Sequence, residues 1–161
     1  MAARHERPMG DKIEIALADP RRPEIAALVR ELDAYMIALY PTESNHLVDI
    51  ETLAGADVRF FVARRMTEAL GCGAIMLRPD YAEVKRVYVS ARARGLGLGR
   101  LILKRLETEA LANRLPLMRL ETGTLQPEAL ALFESEGFVR CGPFGDYPTD
   151  DPYSVFMEKR L

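Results

Sequence analysis

The chain has no tryptophan, only two cysteines and two histidines, and no apolar run of the ~18 residues that a membrane helix needs. Cys72 and Cys141 have no CxxC partner, so we expect free thiols in a reducing cytoplasm rather than a disulfide framework. His5 and His46 share no ligand spacing with the cysteines, which predicts that no metal is bound. The 22 Lys and Arg against 24 Asp and Glu argue against a nucleic-acid partner held by a basic surface.

What is present is the composition of one globular domain: 161 residues, 48% hydrophobic and 29% charged. Residues 1–11 combine charge with Pro8 and Gly10 and have no apolar period. This predicts a disordered leader, and it lacks the apolar core of a signal peptide. We therefore expect a single domain over residues 12–161 and no membrane partner.

The spacing of apolar residues predicts the element order β-αα-βββ-α-β-α-ββ. A helix entered at Pro23 and stopped by Pro41 is followed by a weaker helical pattern at 46–53, and further helices are expected at 98–113 and 127–137. Short alternating or β-branched runs predict seven strands, at 13–17, 58–65, 70–77, 83–90, 117–122, 138–141 and 154–159.

A glycine-rich loop, RGLGLGR at 94–100, joins a predicted strand to a predicted helix. Glycines there let backbone N–H groups approach a phosphate, and the helix N-terminus adds a partial positive charge. The alternative is a loop whose glycines serve close packing and whose cations are solvated. Cations also concentrate here without any acid, at Arg92, Arg94, Arg100, Lys104 and Arg105.

Nucleotide motifs do not fit this loop. A dinucleotide fingerprint needs glycine where Arg100 stands, and the Gly-Lys-Ser/Thr of a Walker A loop is absent. The remaining pattern, Arg/Gln-x-x-Gly-x-Gly/Ala, occurs in two overlapping registers, from Arg92 to Gly97 and from Arg94 to Gly99. In this the chain resembles the GNAT superfamily of acetyl-CoA-dependent N-acetyltransferases.

A second block supports the resemblance, since QPEALALFESEGF at 126–138 looks like the family's Asn-x-x-Ala-x-x-Leu-Tyr-x-x-x-Gly-Phe. The resemblance covers residues 13–161, and PTESNHL near residue 41 is similar to a branch of small bacterial members. It implies an α/β (α+β) fold with a mixed, mostly antiparallel central sheet, helices on both faces and splayed fourth and fifth strands. It also implies acetyl-CoA as acyl donor, and it leaves a homodimer open.

The resemblance implies that one strand presents its backbone to the pantetheine arm of acetyl-CoA while the loop amides bind the pyrophosphate. A strand that splays from its neighbour leaves free N–H and C=O groups for such a contact. Gln126 stands at the family's Asn and keeps an amide. The expected cofactor-binding residues are Val87, Tyr88, Val89, Arg94, Gly95, Leu96, Gly97, Leu98, Gly99, Arg100, Gln126 and Phe133.

Direct transfer to an amine needs a base and often an acid for the leaving thiolate. Glu83 is the family-like base and Glu121 the second choice, while the alternative for Glu83 is a strand-end carboxylate paired with Lys85 or Arg86. The family's acid is a tyrosine where this chain has Phe133, which cannot donate a proton. Water, or the hydroxyl of Tyr88, Tyr147 or Tyr153, remains for this task, and we expect Glu83 and Tyr147 to be catalytic.

The resemblance places the acceptor between the two N-terminal helices and the loop before the last strand. Polar clusters occur in both, and Tyr40, Glu43, His46 and Glu121 are the expected acceptor contacts. Carboxylates there favour a cationic amine, so we expect a small-molecule, amino-acid-like or peptide amine. The alternative is that the aspartates of the second cluster only make turns and caps. The clusters are Tyr40, Glu43, Ser44 and His46, and Asp146, Tyr147, Asp150 and Asp151.

Three function classes follow from the sequence. The first is an N-acetyltransferase acting by direct attack without a covalent acetyl-enzyme, since neither cysteine lies in a nucleophile motif. The second is a non-catalytic acyl-CoA-binding sensor or partner module, suggested by Phe133. The third, a nucleic-acid binder using the cations at 92–105, has too few charges for a long backbone track.

Overall fold

The computed structural model describes residues 12–161, so the expected disordered leader at 1–11 lies outside the described residues. The elements follow the predicted order. The helices are α1 (Pro23–Leu39), α2 (Ile50–Leu53), α3 (Leu98–Ala112) and α4 (Pro127–Ser135). The strands are β1 (Ile13–Leu17), β2 (Val58–Arg65), β3 (Glu68–Leu77), β4 (Ala82–Val89), β5 (Leu117–Gly123), β6 (Val139–Arg140) and β7 (Ser154–Arg160).

The strands form one sheet in the order β1-β2-β3-β4-β5-β7-β6, antiparallel throughout except between β4 and β5. That parallel pair is short, joining Ala82 to Met118 and Glu83 to Arg119. Beyond Glu83 the two strands separate, and within residues 12–161 no strand pairs with the rest of that β4 edge. The mixed, mostly antiparallel sheet is confirmed, and its opening lies at its centre.

Alternation along the central strands supplies both faces of the sheet with apolar side chains. On β2, Phe60 and Val62 pack in the cluster that includes α1, whereas Phe61 and Ala63 pack in the cluster that includes α3. Helices therefore cover both faces, as predicted. Within the described range no helix is long and apolar enough to cross a membrane.

The helix expected over 46–53 is much shorter than predicted. Asp49 accepts a hydrogen bond from the Thr52 N–H at 2.8 Å and so caps α2 just before Ile50. The residues before it are not helical, and the Val48 carbonyl accepts a hydrogen bond from Arg86 at 2.6 Å. This contact draws the segment that carries His46 onto the sheet, and a 3₁₀ turn at Thr42–Ser44 precedes it.

A bulge interrupts β4 close to the point where it leaves β5. The β3–β4 register shifts between Cys72, which pairs with Tyr88, and Ala74, which pairs with Lys85. Arg86 lies in the bulge between these pairs and has a left-handed φ of 57°. A non-glycine residue in that conformation is strained and needs support from its surroundings. Arg86 has it, because its buried guanidinium pairs with Asp33 on α1 and with the Val48 carbonyl.

Candidate active site

A cleft of about 560 Å³ opens beside the end of β4 that has separated from β5, bounded by α1, the glycine loop and the first turns of α3 and α4. Among the described residues, one expected cofactor contact, Leu96, does not line the cleft, and its side chain is half exposed. The sequence reasoning missed Ala129 and Leu132, although their helical spacing with Phe133 could have revealed them. The expected residues in the wall are Val87, Tyr88, Val89, Arg94, Gly95, Gly97, Leu98, Gly99, Arg100, Gln126 and Phe133.

The glycines of the loop serve two different purposes. Gly95 and Gly97 have φ values of 83° and 75°, and a Cβ at either would have no neighbour within 4 Å, so the backbone conformation itself requires glycine. At Gly99 a Cβ would lie 2.8 Å from Leu132 Cδ2, so this glycine allows α3 and α4 to pack closely. Because Gly97 is also the N-cap of α3, the free N–H groups of that helix begin at the cleft.

The five cations near the loop are not all directed at the cleft. Arg92 pairs with Glu68 at 2.8 Å, and Arg105 stacks over the Phe61 ring at 4.5 Å. Arg94 and Arg100 line the cleft, and Arg100 pairs with Glu136 at 2.7 Å. Arg94, Arg100 and the N-terminus of α3 therefore bring positive charge to the cleft, whereas Glu128 in the same wall brings negative charge.

A smaller cavity of about 110 Å³, called here the inner cavity, continues from the cleft. Val87, Gln126 and Phe133 line both spaces, so they mark the junction between them. The far wall of the inner cavity carries polar side chains, among them Ser44, His46, Lys85 and Glu121. A group bound along the cleft can therefore reach the polar wall only past the junction.

Glu121, on β5, is the titratable group that the inner cavity perturbs most clearly. Burial raises the pKa of its carboxyl to about 7, and the negative charges of Asp151 and Glu83 act in the same direction. Lys85 opposes them and lowers this pKa. A carboxyl with a pKa near neutrality can take up and release a proton at physiological pH.

Glu83 lies behind this wall and is held by three donors. Its side chain, 4% exposed, accepts a 2.6 Å hydrogen bond from the Tyr147 hydroxyl and pairs with Lys85 at 2.9 Å and Arg78 at 3.4 Å. Burial and the neighbouring Glu83 charge raise the pKa of Tyr147. These residues line a further cavity of about 400 Å³, which His46 and Lys85 share with the inner cavity.

The two polar clusters found in the sequence meet in one place. Asp151 accepts hydrogen bonds from Ser44 Oγ at 3.0 Å and the Tyr153 N–H at 2.9 Å, and it faces His46 Nε2 at 3.1 Å. Burial acts to raise the pKa of Asp151, but these hydrogen bonds hold it below its usual value. Asp151 therefore joins the segment at 44–46 to the loop before β7, while Glu43 is exposed outside the cavity walls of the described chain.

Tyr40 lies behind the junction instead of in the inner-cavity wall. Its hydroxyl donates to Gln126 Oε1 at 3.2 Å and accepts from the Leu125 N–H at 3.1 Å. The ring is buried over Gly123, where any Cβ would overlap the hydroxyl. In residues 12–161 no group of three or more His, Cys, Asp or Glu side chains could hold a metal ion, and the metal-free reaction stays a prediction.

Comparisons with known proteins agree with this geometry. Residues 25–138 match the model of the acetyltransferase (GNAT) family. The chain is 48% identical over 151 residues to an IAA acetyltransferase from Azospirillum brasilense, covering 92% of this chain and 98% of that one.

Solved structures show the same fold. One, assigned as an acyl-CoA N-acyltransferase from Klebsiella pneumoniae, has a TM-score of 0.78 and 35% identity over 92% of this chain and 97% of that one. PaiA N-acetyltransferase from Thermoplasma acidophilum, solved with coenzyme A, has a TM-score of 0.73 and 17% identity over 93% and 99% of the two chains. Fold and site thus define an acyltransferase enzyme. The chain belongs to the GNAT family of acetyltransferases.

Proposed function

We propose that this enzyme transfers the acetyl group of acetyl-CoA to a primary amine of a small-molecule or amino-acid-like acceptor by direct attack. The observation that carries the proposal is the connected pair of spaces. A cleft walled by backbone and glycines meets, at Val87, Gln126 and Phe133, an inner cavity that holds a carboxyl with a pKa of about 7.

The cleft fits the donor. The β4 edge beyond Glu83, with no strand partner in the described chain, offers backbone groups to a peptide-like pantetheine arm as an added strand would use them. The open space at Gly95 and Gly97 and the N-terminus of α3 suit a pyrophosphate, with Arg94 and Arg100 adding charge. The coenzyme A bound to the Thermoplasma protein supports the same assignment here.

Acetyl-CoA supplies an acetyl thioester, and the amine forms a C–N bond to it as the C–S bond breaks. We assign to Glu121 the uptake of the proton that the amine must lose, because a base works best with a pKa near the working pH. Glu83, the base favoured by the sequence pattern, already accepts from Tyr147, Lys85 and Arg78. We assign Glu83 the positioning of Lys85 and Tyr147.

The state of the two thiols supports direct attack without an acetylated cysteine. Cys72 is fully buried, and burial raises the pKa of its thiol to about 12. Burial also raises the pKa of Cys141. The thiolate is the nucleophilic form, and neither side chain forms it readily at neutral pH.

The space proposed for the acceptor is narrow in the inner cavity, where the reaction would take place, and wider in the cavity beside it. The inner cavity of about 110 Å³ admits little more than the amine end of a molecule, and the cavity of about 400 Å³ beside it leaves room for the remainder. We expect His46 to contact the acceptor because it lines both spaces. The acceptor named for the Azospirillum relative, IAA, belongs in any screen alongside amino acids, polyamines and lysine peptides.

Calorimetric titration with acetyl-CoA and coenzyme A, followed by a free-thiol assay with those acceptors, tests the proposal. We expect binding of both ligands and thiol release that depends on an amine. Binding without release on any amine would contradict the proposed reaction and favour the non-catalytic binding module. Absence of binding would contradict the assignment of the cleft.

A further inference from the structure

None of the described side chains that line both the cleft and the inner cavity is an acid that could protonate the leaving thiolate. Phe133 stands where the resembling family has tyrosine, and it packs edge-on against Phe138 with ring centroids 5.8 Å apart. Tyr147, which the sequence offered as the acid for the leaving thiolate, instead donates a hydrogen bond to Glu83. The polar side chain that borders both spaces at the junction is Gln126.

The Gln126 amide is held in one orientation by Tyr40. The Tyr40 hydroxyl accepts a hydrogen bond from the Leu125 N–H at 3.1 Å and donates one to Gln126 Oε1 at 3.2 Å. The amide nitrogen is bonded to the same carbon as this oxygen, so once Tyr40 engages the oxygen, the two N–H groups remain available to a ligand at the junction. Tyr40 cannot readily leave, since its ring is buried and the missing side chain at Gly123 makes room for the hydroxyl.

We infer, on the basis of the proposed function, that Gln126 Nε2 donates a hydrogen bond to the sulfur of coenzyme A, and that Tyr40 is the positioning residue for that donor. When the C–S bond breaks, its electron pair stays on sulfur as a thiolate. The amide N–H stabilises this anion without giving up a proton, and water later protonates it. A hydrogen bond to an ionised acceptor is about twice as strong as one between neutral groups. The Tyr40–Gln126 pair thereby takes the place of the family's tyrosine.

The pKa of bound coenzyme A tests this without any turnover. Thiolate absorbance in the ultraviolet is titrated for the coenzyme A complex, and the titration of the complex with desulfo-coenzyme A is subtracted. A free cysteine thiol has a pKa of about 8.5, and the reference for the complex is coenzyme A titrated without protein. In the wild type we expect the bound thiol to titrate roughly one unit lower, as a charge-assisted hydrogen bond requires.

Two variants separate the donor from its support. Gln126→Glu keeps the length of the side chain and an acceptor for Tyr40, but it removes the N–H donors and adds a negative charge. Tyr40→Phe leaves the amide in place without its anchor. We expect both to raise the bound thiol pKa, Gln126→Glu to above that of free coenzyme A and Tyr40→Phe by a smaller amount. Thermal unfolding of each variant confirms that it is folded.

Ser135→Ala is the matched control. This variant removes the hydrogen bond that the Ser135 hydroxyl donates to the Leu132 carbonyl at 2.7 Å, in the same helix. The Ser135 side chain is exposed, so the thiol pKa should stay unchanged. An identical thiol pKa in wild type and Gln126→Glu would overturn the inference while leaving the transferase assignment intact. An unchanged value in Tyr40→Phe would overturn the positioning role. Failure of wild type to bind coenzyme A would instead contradict the proposed function.

Discussion

The cleft and the inner cavity are built in opposite ways. The cleft is walled largely by one short stretch of chain, residues 87–100, and its contribution is main-chain conformation: two left-handed glycines and a helix N-terminus. The inner cavity is made of side chains that come from distant parts of the sequence, such as His46, Lys85 and Glu121, with Asp151 behind them. Under the proposed function, donor binding would therefore depend on backbone geometry, whereas acceptor chemistry would depend on long-range packing.

The largest effect should come from the inner cavity. Glu121→Gln removes the proposed base and keeps the shape, and general-base catalysis contributes about 10²–10⁴-fold. We expect kcat to fall within that range, measured by thiol release with the amine that reacts fastest. In the wild type the rate should rise with pH through about 7 as Glu121 ionises, and this limb should be absent from the variant. A variant that keeps both the rate and the limb would show that another group is the base.

A change in the cleft should act on donor affinity. Gly97→Val places a β-branched residue at a φ of 75°, and a strained conformation of this kind costs about 1–3 kcal/mol. We expect acetyl-CoA to bind roughly 5–150-fold more weakly by calorimetry. Gly142→Val is the control, because a Cβ there has open space and no positive φ. Equal losses in both variants would refute the role assigned to the left-handed glycine.

The charge beside the proposed base should tune its titration. Lys85 lowers the pKa of Glu121, so Lys85→Met should move the rising limb of the pH–rate profile above 7, by about one unit. Lys12→Met, an exposed lysine next to β1, should leave the limb in place. A limb that stays or moves to lower pH would contradict the assignment of the limb to Glu121.

The smallest effect is expected where the chain contributes backbone alone. Leu96→Ala shortens a half-exposed side chain inside the glycine loop and keeps the amide. Surface changes of this kind stay within about 0.5 kcal/mol, so acetyl-CoA affinity should change by no more than about twofold. A tenfold loss on calorimetry would mean that side chains, too, carry donor binding at this loop.

The same contrast explains which features were predictable from the sequence. Apolar periods gave the element order, and the motif at 94–100 identified the cleft, because both are local. The raised pKa of Glu121 was not predictable, since it arises from burial between strands whose separation is a tertiary property. The contact of His46 with Asp151 spans 105 residues, and the Arg86 contact that keeps Val48 out of a helix spans 38.

For two of the predicted site residues, the structure shows contacts that the sequence did not indicate, and their roles stay predictions. Tyr40 was expected at the acceptor because it is polar and near the end of α1, but its hydroxyl faces Gln126 and Leu125. Glu83 was expected as base from its place on β4, and the structure surrounds it with donors. In both cases the residue type and its position in the chain indicated a place near the site, while the direction and partners of the side chain depended on packing.

One pair of titrations tests the central claim, which is that donor binding and acceptor chemistry reside in separate, adjoining spaces. Acetyl-CoA is titrated calorimetrically into Glu121→Gln and Gly97→Val, and thiol release is measured on the same samples. We predict that Glu121→Gln binds acetyl-CoA within about twofold of wild type yet turns over at least ~100-fold more slowly, while Gly97→Val loses affinity. Loss of acetyl-CoA binding in Glu121→Gln, or unchanged binding in Gly97→Val, would contradict the account.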